Sequence, residues 1–277
     1  MKDLKVLTIQ DISCVGQCSL TVALPIISAC GIETCILPSA VLSTHTAGFK
    51  NFTFRDLTDD IPSIFNHWNN EGIRFDAVYT GYLGSEKQIG YMINLAKASL
   101  KEGGKFIVDP AFADNGKLYP AFDMAYVESM KKLVAVCDIV VPNLSEACFL
   151  CGIEYKTEYD EEYINGVVKA LLALGAKAVV LTGVSYEKGY TGVVTCENGK
   201  LSYYKHELLP NSCHGTGDIY ASVFVGALTS GKTIEESAKI SADFTVLAIK
   251  ETAKSENHWY GAKFEPVLYK LNSLLNG

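Results

Sequence analysis

No Gly-x-x-x-x-Gly-Lys-Ser/Thr segment follows a strand-like run in the 277 residues; the one match, Gly226 to Thr233, closes an apolar helical run, where a phosphate loop has no strand before it. The first strand-like run continues as Ile9-Gln10-Asp11-Ile12-Ser13-Cys14-Val15-Gly16, with one glycine where a Gly-x-Gly-x-x-Gly turn needs three. These absences remove the P-loop NTPases and the usual dinucleotide-binding enzymes. Basic residues are scarce as well: 24 Lys and Arg against 31 Asp and Glu leave a formal charge of -7. Such a chain lacks the basic face that releases counterions from nucleic acid, so no nucleic-acid partner is expected. A nucleotide ligand stays open, because main-chain N–H groups and a divalent cation hold phosphates without many lysines. No apolar run approaches membrane-spanning length, and Met1-Lys2-Asp3-Leu4-Lys5 leads into a strand without the apolar stretch of a secretory leader. The expectation is a cytoplasmic protein with no membrane partner. The nine cysteines are an odd number spread along the chain, which suits a reducing compartment better than a disulfide framework. Cys148-Phe149-Leu150-Cys151 has metal-like spacing but no second pair at zinc-site distance, and reads as two thiols on successive turns of a buried helix.

Apolar material is ample. Hydrophobic residues make up 48% of the chain and charged residues 20%, enough for one large domain over residues 1–277. Short β-rich runs at 5–9, 33–37, 76–80, 105–109, 138–141 and 177–182 alternate with helical periodicity at 57–70, 86–102, 124–136 and 161–174. Runs such as Ala178-Val179-Val180-Leu181 have little polar alternation, as expected of a parallel sheet covered on both faces. Two further strands at 191–195 and 201–206 flank the turn signal Glu197-Asn198-Gly199, predicting an edge hairpin. Helices over 216–230, 234–250 and 264–275 complete a three-layer α/β/α sandwich with a mostly parallel central sheet. Ligands collect at the C-terminal ends of strands in such folds, and four polar segments stand there.

His214-Gly215-Thr216-Gly217-Asp218 precedes an apolar helix. Its glycines let successive N–H groups turn toward one spot, and the helix start adds a positive dipole end, making an anion hole with Asp218 placed as a general base. The plainer reading is that Asp218 only favours the helix N-terminus. Asp109-Pro110 ends a strand, and with Asp114 it supplies hard oxygen ligands of the kind Mg²⁺ takes; a solvated Asx turn is the alternative. Val141-Pro142-Asn143-Leu144-Ser145-Glu146 fits a capping box whose helix start faces the same crevice. Thr182-Gly183 closes another strand with a hydroxyl and a flexible residue that could meet a phosphate or simply make a turn.

Taken in order, these segments resemble the pyridoxal kinase branch of the ribokinase-like superfamily, from about Val6 to the helix beyond Asp218. Thr80-Gly81-Tyr82-Leu83-Gly84-Ser85 is similar to that branch's Ser/Thr-Gly-Tyr-Leu-Gly-Ser, and Ser43-Thr44-His45-Thr46 to its Ser-Asn-His-Thr. Asp109-Pro110 with Asp114-Asn115-Gly116 resembles Asp-Pro-Val-Met-Gly-Asp-Asn-Gly, Pro142-Asn143 with Glu146 resembles Pro-Asn-x-x-Glu, and residues 215–218 resemble the superfamily's closing signature. The resemblance implies Asp218 as catalytic base, with Gly215, Thr216 and Gly217 as the anion hole. It implies Asp109, Asp114 and Glu146 around Mg²⁺ and its waters, and Asn143, Thr182, Gly183 and Val141 on the ATP side. Asp11, His45, Thr46 and Tyr82 would line the alcohol pocket. A monovalent cation and a homodimer are further expectations of the same origin.

The chain departs from that pattern in two places. Ile9-Gln10-Asp11 stands where the branch has Ile-Gln-Ser, bringing a carboxylate toward the ring and making an aminopyrimidine a competitor. Ala111-Phe112-Ala113 replaces Val-Met-Gly, changing the loop between its acidic ends. Cys213 lies beside the anion hole and reads as an inert thiol, with an encounter with a substrate aldehyde as the alternative. The expected activity is ATP-dependent phosphorylation of the hydroxymethyl group of pyridoxal, pyridoxine or pyridoxamine. A hydroxymethylpyrimidine kinase and a non-catalytic small-molecule binding protein are the alternatives.

Overall fold

The computed structural model describes residues 3–210 and 213–277. In chain order the elements are β1 (Lys5–Ser13), α1 (Leu20–Ala29), β2 (Glu33–Leu42), β3 (Phe54–Asp56), α2 (Ile61–Asn70), β4 (Phe75–Thr80), α3 (Glu86–Ala98) and β5 (Leu100–Val108). A small hairpin of β6 (Ala113–Asp114) and β7 (Lys117–Leu118) follows, then α4 (Met124–Val134), β8 (Ile139–Val140), α5 (Leu144–Cys151) and α6 (Glu161–Leu174). The chain closes with β9 (Ala178–Val184), β10 (Tyr190–Glu197), β11 (Lys200–Glu207), α7 (Thr216–Thr229), α8 (Ile234–Thr252) and α9 (Lys270–Asn276).

Nine strands form one sheet in the order β11-β10-β9-β8-β5-β4-β1-β2-β3 among the described residues. The pairs from β2 to β9 are parallel, while β3, β10 and β11 run antiparallel at the two edges. Because side chains alternate across a strand, Val179 and Leu181 pack into one layer while Ala178 and Val180 enter the other. The first layer is built on α2 to α6, the second on α1, α7 and α8. Each residue from Ile219 to Ala227 of α7 is buried, so this helix has no solvent face over that stretch and its N-terminus is fixed by the core below it.

The hairpin at the edge forms as its turn chemistry predicts, with Asn198 and Gly199 both at positive φ (51° and 77°). Other boundaries move. The helix predicted over 86–102 stops at Ala98, because the Ser99 carbonyl accepts from Phe75 N–H at 2.9 Å and Leu100 enters the sheet. The predicted 264–275 helix is split into a 3-10 turn at Glu265–Val267, where Pro266 sits, and α9. The helix predicted from residue 57 begins at Ile61, after the turn closed by Asp60 N–H to Leu57 carbonyl. α1 escapes helical periodicity because it is apolar nearly throughout and carries Pro25 inside it. No helix among the described residues is long and apolar enough to cross a membrane.

Helices α1 and α7 touch very closely. A Cβ built on Gly226 of α7 would lie 2.4 Å from Cys30 Sγ at the end of α1. Gly226→Ala is expected to destabilise the chain by about 1–3 kcal/mol through overpacking, despite alanine's better helix propensity. In a Cys30→Ala background the same change should cost far less; denaturant unfolding of the four proteins gives the coupling.

Candidate active site

The strand ends place their polar residues along one edge of the sheet. β5 stops at Val108, and Asp109 continues it with its N–H on the Thr80 carbonyl of β4 at 2.9 Å. Proline at 110 then turns the chain away from the sheet. β8 stops at Val140 and hands over to α5 through Asn143, whose side chain caps the helix while Glu146 caps it in return. An isolated parallel bridge joins Asn143 to Thr182 of β9, and the Thr182 N–H bonds the Pro142 carbonyl at 2.9 Å. Asp11 lies at the tip of β1, opposite a register shift in β2 that gives β2 an extra residue there.

Glu146 is buried and fully engaged. One oxygen accepts from Phe112 N–H at 3.0 Å and the other from Asn143 N–H at 2.9 Å, so it staples the loop after Asp109 to the start of α5. Burial pushes its carboxyl up to about 7, against the pull of those main-chain donors and with the Asp114 charge adding to the rise. Asp109 is raised well above the carboxylate range by burial, then by the charges of Glu146 and Asp218. Asp218, in the first turn of α7, is likewise pushed up to about 7 by burial, opposed by hydrogen bonding from the Ser19 main chain and reinforced by Asp11. Asp11 is itself 5% exposed and raised by burial, with the Ser19 and Ser13 hydroxyls pulling the other way; Ser13 Oγ donates to it at 3.1 Å. None of these four carboxyl groups enters an ion pair among the described residues.

Asp109, Glu146 and Asp218 therefore share one electrostatic neighbourhood, reached from β5, α5 and α7. Gly215 sits before α7 at φ 76°, and a Cβ there would lie 1.9 Å from the Gln17 carbonyl, so the turn requires glycine. Thr216 opens the helix, and Gly217 is exposed, with open space where a Cβ would stand.

Other expected site residues fall differently. Val141 puts its side chain into the core, 4% exposed, so only its main chain reaches the strand end. Gly183 is exposed and at φ 73°, within β9 and beyond Thr182. Asp114 is exposed, and both of its oxygens accept from Asn115. No three His, Cys, Asp or Glu side chains converge as a metal cage among the described residues. The expected trio of Asp109, Asp114 and Glu146 thus does not form a direct ligand shell, since Glu146 is committed to two N–H groups and Asp114 to its own turn. The donor set still suits Mg²⁺ held through water: hard oxygens that enter no ion pair with Lys or Arg among the described residues.

His45 is 4% exposed and spends both ring nitrogens on main chain, Nδ1 accepting from Ala47 N–H at 3.2 Å and Nε2 facing the Tyr260 carbonyl at 2.9 Å. Thr46 beside it is exposed. Tyr82 is half-buried against Phe122, and burial followed by the Asp11 charge pushes its hydroxyl up to about 12. Cys213 is half-buried with its thiol pushed up, which makes it a poor nucleophile.

Two residues were not singled out by sequence reasoning. Ser19 links Asp11 to Asp218 and takes a strained backbone (φ 55°) to do so; nothing in the sequence marks it. Tyr119 feels the charges of Glu146, Asp114, Asp109 and Asp218, all of which raise its hydroxyl after burial. The Asn115-Gly116 turn of the β6–β7 hairpin, at φ 50° and 71°, was the available signal for it.

A family model described as phosphomethylpyrimidine kinase matches residues 26–263. A solved structure from Bacteroides thetaiotaomicron, provisionally assigned as a phosphomethylpyrimidine kinase, superposes with a TM-score of 0.94 at 34% identity, covering 98% of this chain and 95% of that one. Another crystal form of that protein holds pyridoxal. The pyridoxal kinase of Lactobacillus plantarum superposes with a TM-score of 0.90 at 29% identity, over 98% of this chain and 97% of its own. In sequence, the pyridoxal kinase of Granulibacter bethesdensis is 26% identical over 235 residues, 80% of each chain.

The raised carboxyl groups cost stability at neutral pH. Asp218 binds its proton up to about 7 when folded but releases it near 3.8 when unfolded, so stability falls as pH rises between those values. Asp218→Asn removes that penalty. It is expected to melt a few degrees above the parent at pH 8, the equivalent of about 1 kcal/mol, with the gap closing toward pH 4; thermal scans across pH test this.

Proposed function

The chain belongs to the phosphomethylpyrimidine kinase family, and from that membership we propose that it transfers the γ-phosphoryl group of ATP to the hydroxymethyl group of pyridoxal, pyridoxine or pyridoxamine. Residues 1–277 act as one kinase domain. The observation that carries the reading is Asp218, a carboxyl group held near neutral pKa in the first turn of α7, directly after the glycine turn. Support for the substrate comes from the pyridoxal held by the Bacteroides protein and from the pyridoxal kinases among the relatives.

The ionised Asp218 takes the proton of the substrate hydroxyl as that oxygen attacks the γ-phosphorus. The new O–P bond forms as the bond to the β,γ-bridging oxygen breaks, and ADP leaves with the electron pair. Main-chain N–H groups of Gly215, Thr216 and Gly217 face the oxygens on which charge builds, with the positive end of α7 behind them. Asn143 and Thr182 stand on the phosphate side. Asp109, Asp114 and Glu146 would hold Mg²⁺ through its water shell, and the bound ion supplies charge neutralisation of the β- and γ-phosphates. Asp11, Thr46 and Tyr82 form the alcohol side, with His45 orienting the loop that bears Thr46. A monovalent cation beside the anion hole, a cytoplasmic location and a homodimer complete the proposal. For the dimer, β3 offers an exposed, unpaired sheet edge with Phe54 half in solvent.

A second reading has its own support. Asp11 is a buried carboxyl without an ion-pair partner among the described residues, so a ring bearing an amine or a protonated nitrogen would complement it. An aminopyrimidine alcohol fits that description as well as pyridoxamine does.

Purified protein with Mg-ATP should phosphorylate the three vitamin B6 alcohols; a strong preference for hydroxymethylpyrimidine would reverse the assignment. Asp218→Asn should lower kcat by about 10²- to 10⁴-fold while ATP still binds. The parent's kcat/KM should rise with pH along an acidic limb centred near 7, since Asp218 must be ionised to accept the proton. A limb near 4 would show that the base is not held at a raised pKa, and an unchanged kcat in Asp218→Asn would show that another group is the base.

A further inference from the structure

Between α8 and the 3-10 turn at Glu265–Val267 the chain runs as an irregular segment, residues 253–264, beside the loops after β1 and β2 and the turn before α7. Both of its ends are anchored. At the start, Thr252 Oγ1 accepts from Lys263 N–H at 2.7 Å and Lys263 Nζ donates to Ser255 Oγ at 2.8 Å. At the end, Ala262 and Phe264 are buried in the core that joins α1, α7 and α8. Its middle touches three loops that come from distant parts of the sequence. The Tyr260 carbonyl accepts from Gln17 N–H at 3.3 Å, in the loop after β1, and from His45 Nε2 at 2.9 Å, in the loop after β2. Ala262 N–H donates to the His214 carbonyl at 3.0 Å, one residue before the glycine turn.

The His45 tautomer fits this arrangement, because Nδ1 already accepts from Ala47 N–H and leaves Nε2 to carry the proton toward Tyr260. Trp259 adds an apolar contact, its ring 4.6 Å from that of Phe49 and packed against Gly48. Gly261 is what lets the segment seat. It lies at φ 148°, pairs with Gln17 as a parallel bridge, and a Cβ on it would fall 2.6 Å from Gln17 Cβ and 2.8 Å from Gln17 N. The Gln17 main chain cannot retreat freely, since its carbonyl lies against Gly215 on the other side.

We infer that residues 253–264 are a positioning strap that holds the alcohol-side loops through the Tyr260 carbonyl and the phosphate-side turn through the Ala262 N–H, with Gly261 as the residue that permits its seating. Neither Tyr260 nor Gly261 is given any contact with the reacting atoms. Their role is to make the 43–50 loop and the 213–217 turn move as one body, so that the hydroxyl and the γ-phosphate are aligned together. Occupying one side then favours the other, a coupling free energy between two sites. This inference rests on the phosphotransfer reading above.

The test is Gly261→Ala in the full chain, with steady-state kinetics and with binding of a non-hydrolysable ATP analogue measured with and without pyridoxine. The parent should bind the analogue about fivefold or more tightly when pyridoxine is present, and the variant should lose that tightening. Its kcat/KM for pyridoxine should fall on the order of a hundredfold, while analogue affinity measured alone changes little. A parent without coupling, or a variant that keeps both coupling and kcat/KM, overturns the inference. Should Gly261→Ala fail to fold, Trp259→Ala serves, since that ring is 53% exposed. It should raise the KM for pyridoxine about tenfold with the KM for ATP unchanged, by freeing one loop; an unchanged pyridoxine KM overturns the inference instead. A parent inactive on every alcohol would reject the phosphotransfer reading itself, whereas an active parent with insensitive variants rejects only the strap.

Discussion

Repulsion among buried and half-buried carboxyl groups is the constraint around which this molecule is arranged. Glu146 and Asp218 both raise the proton affinity of Asp109, Asp114 raises that of Glu146 and Asp11 that of Asp218, and no lysine or arginine pairs with Asp109, Glu146 or Asp218 among the described residues. Left alone, such a cluster would open or take up protons. It is held instead by elements that cannot move independently: β5 inside the sheet, α5 with its reciprocal cap, and α7 buried along most of its length. The unmet negative potential is what the proposed metal ion, carried in with the nucleotide, would neutralise.

That constraint explains why so much of the rest is rigid. Glu146 is a structural staple and an electrostatic group at once, because the same two oxygens that repel Asp109 also hold Phe112 N–H and Asn143 N–H. Removing it would loosen the loop after Asp109 together with the start of α5. Ser19 does similar service between Asp11 and Asp218, and its positive φ is the local cost.

Much of this was legible in the residues. Proline and acidic residues at strand ends marked the crevice, and the apolar strands announced a sheet covered on both faces. The Asn143–Glu146 cap could be read outright because its chemistry is local. What escaped depends on partners far away in sequence. The helix predicted to residue 102 gave way to β5 because pairing with β4 outweighed local propensity, and α1 had no polar face to betray its period. His45 was expected to line the pocket, and no sequence pattern says that its nitrogens are spent on Ala47 and Tyr260. Val141 showed the opposite limit: a residue at the right strand end whose side chain alternates into the core.

The strand order has a kinetic corollary. β1 lies between β2 and β4, and β8 between β5 and β9, so the sheet is closed by parallel pairings that no short hairpin can nucleate. Asp11 and Asp218 come together from roughly two hundred residues apart. During refolding, local units such as the β10–β11 hairpin and the capped helices can form early, while the cleft exists only once the last long-range ladder is in place. Catalytic competence therefore requires every long-range ladder, since only the closed sheet brings its acidic strand tips together.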